Sequence, residues 1–524
     1  MSEIVKETQR RRTFAIISHP DAGKTTLTEK FLLYAGAVAS AGAVKARSGR
    51  RSARSDWMAL EQQRGISVSS TVLQFEYRDC VCNLLDTPGH RDFSEDTYRV
   101  LTAADAAIMV LDAAKGVESQ TLKLFEVARQ RGIPLITFVN KFDRPGLDAL
   151  ELLDHVEREI GVRPTPITWP VGFAGDFRGV VDRRSGQYTK FGRSARGASE
   201  ASELELDNDE AATLEGSSWT TAHDEMQLLS EVGADHNQSM FAAGATSPMF
   251  FGSALTNFGV RSLLDAVIDL APSPGPRADA EGEVRPLETE CSGFVFKVQA
   301  NMDPSHRDRI AFVRICSGKF ERGMTLRQAR TEKPFATKYA HQLFAAERET
   351  VEIAFPGDVV GLVNASDLRV GDTLYANERV VFPALPTFLP EHFVRARAGD
   401  TSRFKQFRRG IAQLDEEGVV QLLQARSGRE PSPVLGAVGP LQFDIAAYRL
   451  EHEYGAAPRF EPFPFGHAHH TDLAGAEALA GRRGVEVFER TDGAFLALFD
   501  GDYAVRLARR DVPDVMLESG VSIS

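Results

Sequence analysis

Short uninterrupted apolar runs alternate with amphipathic stretches over the first half of the chain. RTFAIIS (12–18), CVCNLL (80–85), DAAIMVLD (105–112), IPLITFVN (133–140) and SPMFFGSA (247–254) have the length and continuous hydrophobicity of strands buried on both faces. Helical patterns such as GKTTLTEKFLLYAG (23–36) and ESQTLKLFEVARQRG (118–132) follow them. That alternation predicts a doubly wound α/β domain up to about residue 275, ended by the proline-rich APSPGPRADAEGEVRP. From about 285 to 382 the runs CSGFVFKVQ, RIAFVRICSGKFERGMTL and GDVVGLVN are β-rich and broken by turns, which predicts a small β-barrel. After the prolines of VFPALPTFLPEHF, helical and strand patterns mix from about 390 to 524, as in an α+β domain.

Composition narrows the class. With 43% hydrophobic and 26% charged residues the chain reads as globular, and its 524 residues exceed what one core can organise. No apolar run of membrane-spanning length is present, so a cytoplasmic, non-membrane protein is expected. Cys80, Cys82, Cys291 and Cys316 form no CxxC pair, and Cys80 and Cys82 would share one face of a strand; reduced thiols are expected. A net charge of −12 argues against general coating of nucleic acid. Two local runs depart from this average. KARSGRRSAR (45–54) is basic and is the candidate RNA contact, whereas no lysine or arginine occurs between Arg196 and Arg261. The chain between Asp143 and Ser253 far exceeds a usual α/β connection, which predicts an inserted acidic subdomain at about 165–245.

Four strand ends carry the chemistry. SHPDAGKTT fits a phosphate loop with Ser18 in place of the first glycine, followed by His19, Pro20, Asp21, Ala22, Gly23, Lys24, Thr25 and Thr26. Successive amides at a helix N-terminus attract phosphate; Lys24 would reach the β- and γ-phosphates and the Thr25 hydroxyl would coordinate Mg²⁺. DTPGH places Asp86 at a strand end as a magnesium-side carboxylate, with Thr87, Pro88, Gly89 and His90 following; Gly89 is expected to use its freedom in φ. NKFD supplies Asn140, Lys141 and Asp143, whose carboxylate can accept both N1–H and the exocyclic amine of guanine. FGSAL adds Ser253, Ala254 and Leu255, where a backbone N–H can meet the guanine O6. The four together, in this order, predict a Mg²⁺-dependent GTP-binding site.

These residues resemble the translational GTPases. RGIS (64–67) looks like their first switch, with Ser67 where many relatives have threonine as a metal ligand, and DTPGH looks like the second, with His90 orienting the attacking water. Pro20 stands where several relatives have an apolar residue that flanks this histidine together with Ile66. SDWMALEQQRGIS, DFSEDTYR, DAAKGVE, FVFKVQANMDPSHRDRIAF, DEEGVVQL and GPLQFD are very similar to the bacterial peptide chain release factor 3 family, up to about Pro458. The resemblance implies a P-loop GTPase domain, a β-barrel and an α+β domain. It also implies GTP as substrate, GDP as product, and His90 and Lys24 as catalytic residues. It implies that the ribosome, including its RNA, stimulates hydrolysis, and that a class-I release factor is dissociated and recycled after termination. A monomer is expected, with ribosomal stalk proteins as candidate partners of the acidic insert. The competing readings are an elongation-type or ribosome-protection GTPase, disfavoured by chain length, and a GTP-dependent ribosome-binding module without efficient turnover.

Overall fold

The computed structural model describes residues 1–37, 70–192, 199–300, 309–344, 347–365, 367–385, 387–426, 432–518 and 521–522. Ser67, Ile66, the basic run 45–54 and residues 301–308 of ANMDPSHRDR lie outside them.

An N-terminal helix α1 (Glu3–Gln9) leads into β1 (Arg11–Ser18), in which all residues from Thr13 to Ser18 are buried. Helix α2 (Lys24–Tyr34) follows directly. Then come β2 (Thr71–Tyr77), β3 (Cys80–Asp86), α3 (Ser94–Ala103), β4 (Ala106–Asp112), α4 (Ser119–Gln130), β5 (Leu135–Asn140), α5 (Ala149–Ile160) and β6 (Arg163–Pro166). After an insertion the domain closes with β7 (Thr246–Phe251) and α6 (Val260–Leu270). The sheet order is β2-β3-β1-β4-β5-β7-β6, parallel except for β2. Two apolar clusters cover its faces, one built with α2 and α6 and the other with α3, α4 and α5. This explains why the strands read as continuous apolar runs. Strand β2, TVLQFEY, is not one of the continuous apolar runs: its antiparallel partner is β3, and one side is half exposed, as in a half-buried strand.

The insertion is a four-stranded antiparallel sheet (Thr168–Phe173, Asp176–Asp182, Tyr188–Gly192, Ser202–Leu206) with helices Asn208–Glu215 and Ser217–Glu231. It is tied together by Glu215, whose carboxylate accepts from Tyr188 and Lys190 at 3.0 and 2.7 Å.

The second unit is an antiparallel barrel-like sheet in which β8 (Ser292–Ala300) pairs with β9 (Arg309–Ser317), and β9 with the strand Val359–Val363. Its strand Ala340–Phe344 reaches the β2 edge of the first sheet at the pair Phe344 and Leu73. Asp358 sits at this joint. Its carboxylate accepts from Arg11 Nε (3.0 Å), Gln74 Nε2 (3.0 Å), Asn83 Nδ2 (3.3 Å) and the Phe355 amide (2.9 Å).

The third unit begins as strand His392–Ala398, helix α7 (Phe404–Glu416), strands Gln421–Ala425 and Val434–Ala437, helix α8 (Leu441–His452) and strand Pro458–Pro462. This split β-α-β unit has its strands in the order fourth-first-third-second. Three further strands, with helices Leu473–Leu479 and Asp502–Asp511, extend the same sheet through the segment where the resemblance fades. The unit touches the first domain through α8, and Tyr98 packs on Phe388 at a centroid distance of 4.3 Å. All four cysteines are free thiols, and burial pushes Cys82 and Cys291 up to about 12. Among the described residues no helix is long and apolar enough to cross a membrane.

Candidate functional site

The carboxyl ends of β1, β3, β4, β5 and β7 all lie on one edge of the sheet. The loops after β1 and β3 diverge to opposite faces there, the place where open α/β sheets bind ligands. A cavity of about 310 Å³ opens at this point. It is lined by Ser18, His19, Pro20, Asp21, Gly23, Lys24, Thr25, Thr26, Gly89, His90, Asn140, Lys141, Asp143, Ala254 and Leu255, all expected from the sequence, and by Arg144, which was not. Arg144 lies next to the NKFD motif but outside its pattern. Ala22, Asp86, Thr87, Pro88 and Ser253 sit behind this lining.

The phosphate loop obtains its shape from two left-handed residues, Asp21 (φ 65°) and Gly23 (φ 98°). Ser18 adopts no such conformation, so the position does not need glycine; its hydroxyl donates to His19 O at 2.9 Å. Gly23 is required twice, by φ and by space, because a Cβ would lie 2.3 Å from Asn140 Nδ2. No side chain caps α2, which leaves its first-turn amides facing the cavity as anion donors. His19 is buried, and desolvation lowers its pKa against the opposing pull of Glu118, whose carboxylate lies 3.1 Å from its Nε2.

Asn140 and Lys141 brace this loop from behind. Asn140 Nδ2 donates to Ala22 O at 2.6 Å, and Lys141 Nζ donates to Asp21 O at 2.5 Å and to Asp112 Oδ2 at 2.8 Å. Asp112, at the end of β4, is a functional residue that the four sequence motifs do not contain. Burial pushes its carboxyl up, but Lys141 and the Ala114 amide outweigh this and hold it below the usual range. The signal was there in DAAKG, an acid ending an apolar strand.

Two expectations need correction. Gly89 is not left-handed, and a Cβ there would make an ordinary 3.6 Å contact with Pro20 Cα, so unusual φ is not its role. The amides of Ser253 and Ala254, expected to meet a guanine O6, are already committed within the protein. Ser253 N–H donates to Phe258 O (2.9 Å) and Ala254 N–H to Asn140 Oδ1 (2.8 Å). The loop's conformation, which only the fold fixes, consumes them.

Asp143 differs from its neighbours. The residue lines the cavity, and its Oδ1 is buried with no hydrogen-bond partner among the described residues. An unpaired buried acceptor costs about 1–3 kcal/mol, which a base presenting adjacent N–H donors would recover. On the phosphate side, Lys24 Nζ lies 2.9 Å from Asp86 Oδ1, both side chains nearly fully buried. Thr87 does not face the cavity; its hydroxyl bonds Ile16 O at 2.7 Å and pins the β3 end to β1. His90 stands at the cavity rim with its side chain 36% exposed.

Magnesium takes few protein oxygens and keeps phosphate and water ligands. Thr25 at the start of α2 and Asp86 at the end of β3 provide such hard oxygen donors. Among the described residues no cluster of three or more acidic, histidine or cysteine side chains offers an all-protein cage. The donor set therefore fits a metal held jointly with nucleotide phosphates.

Comparison with known proteins agrees with this construction. Residues 9–273 match the family model Elongation factor Tu GTP binding domain, residues 290–377 match Elongation factor G domain 2, and residues 382–509 match Class II release factor RF3, C-terminal domain. Peptide chain release factor 3 of Synechococcus elongatus is 49% identical over 523 residues, covering 99% of this chain and 94% of that one. The Gloeobacter violaceus protein of the same name is 51% identical over 465 residues, covering 88% of each. A crystal structure of a Thermus thermophilus protein shares the fold with a TM-score of 0.69 at 23% identity, over 91% of this chain and 72% of that one.

Proposed function

This chain belongs to the peptide chain release factor 3 family of translational GTPases, and we propose that it is a ribosome-stimulated GTPase whose cycle dissociates class-I peptide chain release factors from the ribosome after termination. The observation that carries the nucleotide reading is the cavity itself, with a phosphate loop at one end and the unpaired Asp143 Oδ1 at the other.

In this reading Asp143 accepts the two adjacent guanine donors, while the α2 amides and Lys24 hold the phosphates. Lys24 exchanges its ion pair with Asp86 for the β- and γ-phosphate oxygens. Thr25 and Asp86, with Ser67 from outside the described residues, would hold Mg²⁺ directly or through water, and the ion would supply positive charge to the phosphates. His90 orients the attacking water. Its half-exposed position at the rim makes that orientation incomplete until a ribosomal partner fixes it. In other GTPases, supplying a missing transition-state group lowers the barrier by about 4–7 kcal/mol. The γ-phosphate orders the switch segments, and the GTP form binds the ribosome better; hydrolysis reverses the preference. The acidic insert is suited to a basic protein partner such as a ribosomal stalk component, rather than to RNA. Deleting residues 200–235 without loss of ribosome stimulation would remove that assignment.

The test is GTP turnover by the purified chain with and without ribosomes, repeated with His90→Ala. Strong stimulation of the wild type and a mutant that binds GTP but scarcely responds is the expected result. Turnover indifferent to ribosomes would leave the nucleotide site standing and overturn the cellular role.

A further inference from the structure

Two residues beyond His90, Asp92 touches two things at once. Toward the cavity, its backbone N–H donates to His90 Nδ1 at 3.3 Å, and its carboxylate Oδ1 lies 3.3 Å from the same nitrogen. A bare Nδ1 is thus met by the amide, and a protonated one by the carboxylate. In both cases Nδ1 is occupied, and Nε2, which makes no hydrogen bond among the described residues, is the nitrogen left for water. Away from the cavity, Oδ2 accepts the Leu441 N–H at 2.7 Å. Leu441 is the first residue of α8 in the third unit, preceded by Pro440, which brings no capping side chain. The helix is capped instead by a carboxylate 349 residues earlier in the chain.

The surroundings fit this cross-domain cap closely. Asp92 is 6% exposed. A Cβ on Gly439 would lie 2.1 Å from Asp92 Cγ and 2.3 and 2.5 Å from its two oxygens, so a residue of the third unit must be glycine for the carboxylate to fit. Phe93 is buried against Ile445 of α8, which holds the short turn Arg91–Phe93 against the helix.

The geometry points to Asp92 as a positioning residue through which the docking of the third domain on α8 fixes the orientation of the His90 imidazole. With α8 seated, Oδ2 is held by the Leu441 amide and the carboxylate cannot rotate away from Nδ1. When α8 lifts, that hold is lost, and Nδ1 keeps only the Asp92 amide, which cannot hold a protonated Nδ1. The third domain thereby gains control of the water-orienting group without contacting nucleotide. This rests on the assignment of His90 to that role, given above.

Two variants separate the coupling from simple destabilisation. Asp92→Ala removes both contacts of the carboxylate, while Gly439→Ala displaces it from the third domain and leaves every nucleotide-domain residue intact. Both are expected to lower ribosome-stimulated kcat by ~10-fold or more, as misplacement of a catalytic group by about 1 Å does, with KM for ribosomes and GDP affinity within about twofold of wild type. Asp92→Asn, which retains one acceptor for Leu441 but turns an NH₂ toward Nδ1, should fall between Asp92→Ala and wild type in kcat, and a kcat no better than Asp92→Ala would overturn the role of the Leu441 contact. Histidine ¹⁵N resonances of the full chain, with His90 assigned by its loss in His90→Gln, should shift at Nδ1 in Gly439→Ala and Asp92→Ala without ribosomes present. Unchanged kcat in Asp92→Ala, a defect confined to KM, or a His90 Nδ1 signal indifferent to Gly439→Ala would each overturn the proposal. A wild type that ribosomes do not stimulate would count against the assigned role alone, and the NMR arm would decide the coupling.

Discussion

Replacing Asp143 with asparagine tests guanine selection with the least disturbance to the fold. Asp143 is on the cavity wall and its buried Oδ1 has no partner among the described residues, so no described contact of that oxygen is lost on substitution. Hydrogen bonds to a charged acceptor contribute about 1.5–3 kcal/mol each, so the two to guanine N1–H and its amine sum to about 3–6 kcal/mol. At ~1.4 kcal/mol per decade, that is ~10²–10⁴ in affinity. Asparagine keeps one acceptor but turns an NH₂ donor toward donors of the base, whereas xanthine carries an oxygen in place of the amine. Displacement of a fluorescent GDP analogue by GTP, XTP and ATP should show GTP weakened by at least ~10²-fold and XTP strengthened relative to it. The thermal midpoint should stay at or slightly above wild type, because the substitution keeps the size of the side chain and removes its partly buried charge. Unchanged preference for GTP over XTP would refute the placement of the base against Asp143.

Asp358→Ala removes the 3.0 Å partner of Arg11 at the joint between the first two domains, leaving Arg11 its pair with Glu7 and Gln74 its bond to Asn83 Oδ1, and takes the acceptor from Asn83 Nδ2 and the Phe355 amide. A loss of about 1–3 kcal/mol is expected in denaturant unfolding of the nucleotide domain, from the buried donors left unpaired, and a loss under ~0.5 kcal/mol would contradict it. Gly23→Ala combines a φ of 98° with a 2.3 Å approach to Asn140 Nδ2; GDP affinity should fall ~10-fold or more in the same displacement assay, while the far-UV spectrum is retained. Burial lowers the pKa of His469 and His470, so the unfolded chain binds more protons than the folded one once pH falls below about 6.5. Their contribution is complete above that pH and is lost on acidification, at up to ~1.4 kcal/mol per pH unit for each. Thermal midpoints at pH 7.5 and 5.5 should diverge less in the His469→Gln, His470→Gln variant than in wild type.

Much of the nucleotide site was legible because its determinants are local. A phosphate loop needs a strand, a tight turn with a left-handed glycine and a helix start, all within nine residues from Ser18 to Thr26. The other motifs end strands whose continuous hydrophobicity announces burial on both faces. The helices α7 and α8 and the strands around them were visible for the same reason of periodicity. What escaped was non-local. Strand β2 and the strands of the insert have one half-exposed side, and their pairing is set by partners rather than by their own pattern.

By itself, then, the sequence determined the succession of an α/β, a β and an α+β fold, and the strand-end motifs that gather around one cavity, since each depends on spacing along the chain. Only the tertiary structure decided that the amides of Ser253 and Ala254 are already spent and that Asp112 anchors Lys141. It alone decided that Gly89 needs no special φ, and that Asp92 reaches α8 across 349 positions. A hydrogen bond reports distance in space, and residues so far apart in the chain leave no mark of it on the local pattern of either.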